Sequence, residues 1–460
     1  MDVLQKVVYD EQQKVPIARI ATKASVKLIS SSSSTIQHNN SNNNNNNNNS
    51  TPTSTEYYES RYVPEAWASD SRGTYGGDLI SQGLNAAWQS VLNRSKDVAT
   101  AASPNDGLNF QPHSLHTYFV KAGSSESVMR WEVIKVSDSR NFANRCVLGY
   151  QSHSGVLVVT LQVSFTRDND VVVKQRQFEQ QMAQVVAQGE GEGQEGEKQV
   201  KHWPLVFKRN PGPMFYKYRD NLQDLDVRTL YYSNHITRAM PKEFFKHSDN
   251  FNLNTTADQE LGMFIKVNDD LNGVVVDGSE KEKEKEQRNG TSPSAIELVR
   301  RKYLALAYAS DSFWASTLMK ALGLPVGFSN FKTVSLDHTL YFHDSNFEIG
   351  KSTNNNKQKK KTETGSKKEK SNDVTGACAI DLDNDNWIYM ETQFVSLGNN
   401  RLVAIINFYS LENDGTLIAT AVQENYGVFP KQVVDNSREL HAKSNGKSTA
   451  PAGVTGGAKL

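Results

Sequence analysis

An internal duplication organises this sequence of 460 residues. In each copy a tyrosine precedes, by three positions, an aspartate that opens an apolar helical segment: Tyr75 and Asp78, then Tyr308 and Asp311. Runs rich in β-branched and aromatic residues follow each helix, at 128–136, 142–150 and 156–165 and again at 387–395, 402–409 and 417–424. This order predicts an α+β fold in which each antiparallel sheet wraps its own helix.

The second helix is predicted from Asp311 to Leu322, where apolar residues occupy nearly every side of a 3.6-residue period. Such a pattern is typical of a buried helix, and Gly323 and Pro325 mark its end. Asp311 therefore has two interpretations at this stage. It is a helix cap worth about 1 kcal/mol, or it is a catalytic acid.

Two repeats and three further segments account for the chain. We predict an N-terminal segment with a Ser/Asn-rich insert (1–56), repeat 1 (57–170), a long connection with disordered inserts (171–295), repeat 2 (296–432) and a flexible polar tail (433–460). A lysine-rich insert, 351–372, interrupts repeat 2. Low-complexity segments of this kind cannot bury a core, so we expect them to be disordered loops.

Composition and charge exclude several classes of function. The formal net charge is zero, so no overall field favours a nucleic acid or a membrane surface as a partner. No apolar run is long enough to span a membrane. The two cysteines, Cys146 and Cys378, predict reduced thiols rather than a disulfide framework.

The final residues Ala458, Lys459 and Leu460 resemble the Ser-Lys-Leu address, which predicts import into the peroxisomal matrix by a receptor.

The motifs of common enzyme classes are missing from the sequence. There is no G-x-S-x-G nucleophile elbow, no G-x-G-x-x-G opening a helix, and no His/Cys pair with zinc spacing, so we predict neither a cofactor nor a metal. Three polar residues in apolar elements of the second copy remain as candidates: Asp311, Ser335 and Gln423. Ser335 could be only a polar strand end, whereas a glutamine inside the apolar run at 417–424 needs hydrogen-bond partners.

The first copy lacks one of these three residues. Counted from the turn glycines Gly155 and Gly415, Val163 occupies the position of Gln423, and Gln162 faces the opposite side of its strand. We therefore expect one working site, in the second copy. His338 follows Asp337 on a strand, so the two side chains face opposite sides and make a poor catalytic pair. A structural role is predicted for His338.

Seven short motifs together resemble the type II acyl-CoA thioesterases, and among these the chain is most similar to the fungal peroxisomal members. They are Tyr-Gly-Gly-Asp at 75–78, Leu-His-Thr-Tyr-Phe at 115–119, Arg-Asn-Phe-Ala at 140–143, Tyr-Ala-Ser-Asp-Ser at 308–312, Val-Ser-Leu-Asp-His-Thr-Leu-Tyr-Phe-His at 334–343, Asn-Trp-Ile-Tyr at 386–389 and Ala-Val-Gln-Glu at 421–424. The resemblance covers both repeats in the order of the family. One departure is Asp78, where many members have Gln.

The resemblance implies a double hot-dog fold, self-association into a homo-oligomer, and hydrolysis of fatty acyl-CoA to fatty acid and CoA thiol. It also places the family's Asp, Ser/Thr and Gln on Asp311, Ser335 and Gln423, which would activate a water molecule. Two alternatives of function stay open at this stage: a hot-dog 2-enoyl-CoA hydratase, which would need a catalytic Asp/His pair, and a non-catalytic acyl-CoA-binding protein. Binding of a polyanion by the lysine-rich insert is a further possibility.

Overall fold

The structure is a computed structural model that describes residues 18–34, 53–66, 73–93, 110–167, 171–187, 207–229, 235–273, 275, 293–329, 331–351, 385–411 and 414–446. Several predicted segments lie outside these residues. They are the asparagine run, the Gly/Glu-rich and charged inserts of the connection, nearly all of the lysine-rich insert, Cys378 and the terminal tripeptide. Within the described residues, no helix is both long and apolar enough to cross a membrane.

Most strands of the described chain follow one another in groups, with helices between the groups. The strands are β1 (Val26–Ser34), β2 (Thr53–Ser60), β3 (Phe110–Phe119), β4 (Met129–Asp138), β5 (Phe142–Gln151), β6 (Leu157–Arg167), β7 (Asp226–Thr229), β8 (Ile236–Met240), β9 (Glu260–Val267), β10 (Lys332–Phe342), β11 (Gly350–Lys351), β12 (Asp385–Gly398), β13 (Arg401–Ser410) and β14 (Leu417–Val428). The α-helices are α1 (Arg19–Lys23), α2 (Gly76–Leu92), α3 (Val171–Ala187), α4 (Pro213–Tyr218), α5 (Ala295–Ser310), α6 (Leu318–Ala321) and α7 (Lys431–Ser444). Short 3₁₀ turns cover Leu222–Asp224, Lys242–Phe245, Leu253–Asp258 and Trp314–Thr317.

One antiparallel sheet joins the two repeats. Its order is β1-β2-β4-β5-β6-β3-β10-β14-β13-β12-β9-β8-β7, with β11 paired to β12. The junction is the pairing of β3 with β10, where Leu115 lies opposite Leu340. The predicted hairpin turns are confirmed, because Gly155 and Gly415 have the positive φ that such turns require. The six predicted β-rich runs are all strands, and the α+β double hot-dog prediction is confirmed.

Helices α2 and α5 lie side by side against this sheet. The Ser81 hydroxyl donates to the carbonyl of Leu304, and the Arg300 guanidinium donates to the side chain of Asn85. Because residue numbers rise along one helix as they fall along the other, the two helices run antiparallel. The N-terminus of α2 therefore lies beside the C-terminus of α5, and the two helices share one hydrophobic core with the strands.

The position of the second helix corrects the sequence prediction. The helix α5 ends at Ser310 and Asp311 is its C-terminal cap residue, so Asp311 does not open a helix of its own. The apolar run that follows forms a 3₁₀ turn and the short helix α6, because Phe313 adopts a left-handed φ of 63° that interrupts the helix. The prediction of a helix from Asp311 to Leu322 is wrong.

Strands and a helix also lie outside the two predicted repeats. The serines 30–34, predicted to belong to a low-complexity insert, extend β1, and β1 joins repeat 1 through β2. The connection contributes β7, β8 and β9, of which β9 matches the strand anticipated at 261–267. Helix α7 occupies much of the predicted polar tail, and its Val433 is buried in the core. The division into segments otherwise stays a prediction.

Candidate active site

Asp311 lies where the two repeats meet. It follows the last turn of α5, and the backbone N–H of Gly77, in the first turn of α2, donates a hydrogen bond to its carboxylate. Gly76 approaches so closely that a Cβ atom on it would lie 2.6 Å from Oδ2 of Asp311. The carboxylate thus faces the positive end of a helix dipole, but the helix belongs to the other repeat.

Gln423 and Ser335 converge on this carboxylate, as the sequence predicted for the second copy. Nε2 of Gln423 donates to Oδ1 of Asp311 over 2.6 Å and to Oγ of Ser335 over 2.9 Å. The Ser335 hydroxyl lies 3.5 Å from Oδ1 of Asp311. Gln423 and Asp311 are 112 residues apart in the sequence. The fold therefore assembles the three predicted residues into one hydrogen-bonded cluster.

Asp311 and Gln423 are buried and Ser335 is half-buried, and this burial affects the charge state of the carboxyl. Asp311 is 7% exposed, and this burial raises its pKa from the ordinary 3.8 to about 6, although the hydrogen bonds from Gln423, Gly77 and Ser335 oppose the rise. The carboxyl is consequently ionised at neutral pH but readily takes up a proton. A group of this kind is suited to act as a general base.

The structure adds residues that sequence reasoning missed. Oδ1 of Asn425 accepts a further hydrogen bond from Nε2 of Gln423, and Asn425 in turn donates to Thr333. His338 contacts Oε1 of Gln423 and the hydroxyl of Ser310. The alternation of Gln423 and Asn425 on one strand face was a readable signal for Asn425. Nothing in the sequence indicated the approach of Gly77 from the first repeat.

The aspartate of the first copy belongs to a separate cluster. Asp78 accepts hydrogen bonds from the side chain of Gln82 and the backbone N–H of Glu65, and burial raises its pKa to about 6. Val163 is buried whereas Gln162 is exposed, as expected from their opposite strand faces. Among the described residues no group of three His, Cys, Asp or Glu side chains is arranged to hold a metal ion.

Comparisons with known proteins match the first repeat and, for one relative, 64% of the chain. The family described as the acyl-CoA thioesterase N-terminal domain matches residues 63–166. Peroxisomal acyl-coenzyme A thioester hydrolase 1 of Saccharomyces cerevisiae is 28% identical over 307 residues, which cover 64% of this chain and 78% of the yeast protein. Acyl-coenzyme A thioesterase 8 of Mus musculus is 29% identical over 114 residues, or 25% of this chain and 29% of the mouse protein.

A solved structure, the acyl-CoA thioesterase II TesB2 from Mycobacterium marinum, aligns with 82% of this chain and 92% of its own, at 16% identity and a TM-score of 0.38. The sequence matches are the stronger comparison. The first repeat matches the family model over residues 63–166, and the similarity to the yeast relative extends over 64% of the chain. By these matches the chain is similar to the acyl-CoA thioesterases.

Proposed function

We propose that this chain hydrolyses fatty acyl-CoA to a fatty acid and free CoA thiol, with Asp311 as the base that activates water. The observation that carries the proposal is the convergence of Asp311, Ser335 and Gln423 in one hydrogen-bonded cluster. Similarity to the acyl-CoA thioesterases supports the substrate class. No covalent acyl-enzyme is needed, because a thioester is already electrophilic.

The carboxylate of Asp311 retains the capacity to accept one further hydrogen bond. An ionised carboxylate offers about four acceptor positions, and three donors reach this one, from Gln423, Ser335 and Gly77. The remaining position can accept a proton from water. A well-placed base of this kind accelerates such a reaction by ~10²–10⁴-fold.

Gln423 and Ser335 would orient that water, since an amide and a hydroxyl can both donate and accept hydrogen bonds. The water oxygen attacks the thioester carbonyl carbon while Asp311 takes one of its protons. The C–S bond then breaks, and the departing CoA thiolate takes up the proton that Asp311 had removed from the water. The first turn of α2 would stabilise the negative charge on the carbonyl oxygen, because its N–H groups have no partners within the helix.

The test is the release of CoA thiol from palmitoyl-CoA by the parent protein and by Asp311→Asn. We expect at least a hundredfold loss in the folded variant, within the range for a lost general base (~10²–10⁴-fold). Asp269→Asn is a matched control, because Asp269 is also buried with a pKa raised to about 6, yet it accepts hydrogen bonds from the backbone of α1. That control should keep the activity of the parent.

The outcomes separate the competing functions. Activity that survives Asp311→Asn would leave the reaction in place but remove Asp311 as the base. An equal loss in both variants would indicate a general effect of removing a buried carboxyl. If the parent released no thiol from any chain length, the 2-enoyl-CoA hydratase and the acyl-CoA-binding protein would replace the thioesterase.

We further propose that the protein acts in the peroxisomal matrix and is recognised by the import receptor through Ala458, Lys459 and Leu460. Support comes from the resemblance of this tripeptide to the peroxisomal address and from the name of the yeast relative. A fluorescent fusion should enter peroxisomes, and removal of the three residues should leave it in the cytosol. Import without the tripeptide would contradict this assignment.

Self-association is also proposed, through the outer face of the sheet. Exposed apolar side chains lie there at the junction of the repeats, on β3, β10 and β14: Tyr118, Val334, Tyr341 and Tyr426. Contiguous exposed apolar residues often mark a protein interface. Sedimentation of the full chain should give a mass above that of the monomer, and Tyr118→Lys with Tyr341→Lys should lower it.

A further inference from the structure

We propose that His338 is a positioning residue, which holds the side-chain amide of Gln423 in the orientation that presents its NH₂ group to Asp311 and Ser335. The inference rests on the proposed hydrolysis and adds a fourth residue to it. His338 does not touch the reacting atoms; it acts through Gln423.

The geometry gives His338 direct control of the amide. His338 on β10 lies opposite Gln423 on β14, and both side chains are 0% exposed. Nδ1 of His338 lies 2.7 Å from Oε1 of Gln423. On its other side, Nε2 of His338 lies 2.9 Å from the hydroxyl of Ser310, the residue next to Asp311.

The hydrogen-bond partners assign the direction of each bond in the chain. A carboxylate oxygen can only accept, so the group of Gln423 that faces Asp311 must be NH₂, and Oε1 must face His338. Because Oε1 also only accepts, the proton of the imidazole must be on Nδ1. Nε2 then carries a lone pair that faces the Ser310 hydroxyl, and the single proton of that hydroxyl is shared between Nε2 and the carbonyl of Ala307, 2.8 Å away.

The charge state of His338 agrees with this assignment. Burial lowers the pKa of His338 to about 4, so the ring is neutral at physiological pH and one nitrogen is free to accept. If the Gln423 amide turned over, Oε1 would face the carboxylate of Asp311 and NH₂ would face the Nδ1 proton. Both contacts would be repulsive in this tautomer, so the Nδ1 proton of His338 acts together with the carboxylate of Asp311 to hold the productive orientation.

The first repeat provides an internal comparison. Leu115 on β3 and Val163 on β6 form the equivalent cross-strand pair, 0% and 2% exposed. Leu115 precedes Phe119 by four residues, as His338 precedes Phe342, and Val163 and Gln423 are each eight residues beyond the turn glycine. In one repeat the pair is polar at both positions and in the other it is apolar at both. The pairing indicates that the histidine accompanies the glutamine rather than filling the core independently.

The experiment is a double-mutant cycle on palmitoyl-CoA hydrolysis with His338→Leu and Gln423→Val, the residues that the first repeat uses. We expect His338→Leu to lower kcat on the order of tenfold, about the effect of one lost hydrogen bond, with little change in KM. The double variant should have the kcat of Gln423→Val alone. A residue that acts through Gln423 has nothing left to position once Gln423 is absent.

A rescue variant separates positioning from packing. His338→Asn leaves a larger gap than His338→Leu but restores an N–H donor near the position of Nδ1, so its kcat should exceed that of His338→Leu. If His338→Leu alone does not fold, the kcat of the double variant can still be compared with that of Gln423→Val to test the inference. The double variant is expected to fold, because repeat 1 already has the apolar pair at the equivalent positions.

Two results would overturn the inference. One is a kcat for His338→Leu within threefold of the parent; the other is a further loss in the double variant beyond that of Gln423→Val. Failure of the proposed function would look different, since the parent itself would then release no thiol. Loss of activity in Asp311→Asn with none in His338→Leu would reject the role of His338 alone.

Discussion

The substitution Asp311→Asn separates what this carboxyl contributes to catalysis from what it costs the fold. Burial raises the pKa of Asp311 from 3.8 to about 6, so the folded protein prefers the protonated form. In the unfolded chain the group ionises from about pH 4 upward. As pH rises through the interval between these values, the parent loses stability relative to a variant whose amide does not titrate. A difference of about two pKa units corresponds to about 3 kcal/mol in total.

The measurement is the free energy of unfolding in urea for both proteins between pH 5 and pH 8. In the difference between the two free energies, the contributions of all other titrating groups cancel where these groups behave alike in both proteins. We expect the advantage of Asp311→Asn to grow by about 1.5 kcal/mol over this range, because roughly half of the total has accumulated below pH 5. Any hydrogen bond that an amide accepts less well than a carboxylate, such as that from Gly77, shifts the difference by a constant.

The slope therefore tests the reasoning independently of the offset. A difference that stays flat from pH 5 to pH 8 would mean that the folded protein holds the Asp311 carboxyl at its ordinary pKa. A difference that falls with pH would mean that hydrogen bonding outweighs burial. Activity measured on the same samples should be lost at every pH.

Three other perturbations probe the same arrangement. Because the base must be ionised, kcat/KM for palmitoyl-CoA should fall about tenfold per pH unit below about pH 6. The loss of thioester absorbance measures this rate, and a kcat/KM that stays constant down to pH 4.5 would contradict the prediction. Gly76→Ala should lower kcat/KM by about a hundredfold, because its Cβ would lie 2.6 Å from Oδ2 of Asp311. Gly398→Ala, with nothing within 4 Å, is the control that should match the parent. Leu340→Ala, fully buried at the junction of the repeats, should reduce the free energy of unfolding by about 2–5 kcal/mol in urea titrations; a loss below 1 kcal/mol would show that the junction repacks.

Much of the sheet could be predicted because strands have a recognisable local sequence pattern. The β-branched runs and the turn glycines Gly155 and Gly415 gave both repeats their order. The second helix could not be located in the same way, since its first half carries charged residues that suggest a surface loop. Arg301 is nevertheless buried there, because it donates to the carbonyls of Leu271 and Gly273. A tertiary partner of that kind leaves no trace in the local pattern.

One local signal for this helix was present and overlooked. Ser294 caps α5 by accepting from the N–H of Glu297, the Ser-x-x-Glu arrangement that commonly begins a helix. The interruption after Asp311 had no such signal, because Phe313 is a bulky residue in a backbone conformation usual for glycine. The sequence thus singled out three residues that the fold brings together, but the prediction placed Asp311 at the wrong end of a helix.

The division of the site between the repeats has a consequence for folding. Gly77 of the first repeat donates a hydrogen bond to Asp311 of the second, so the proposed base acquires its full environment only after α2 and α5 have docked. Contacts between residues so distant in sequence are slow to form. During refolding from denaturant, strands within each repeat can return early, whereas thioester hydrolysis can return only with the last long-range step. The rate at which activity returns would then measure the rate at which the two repeats assemble.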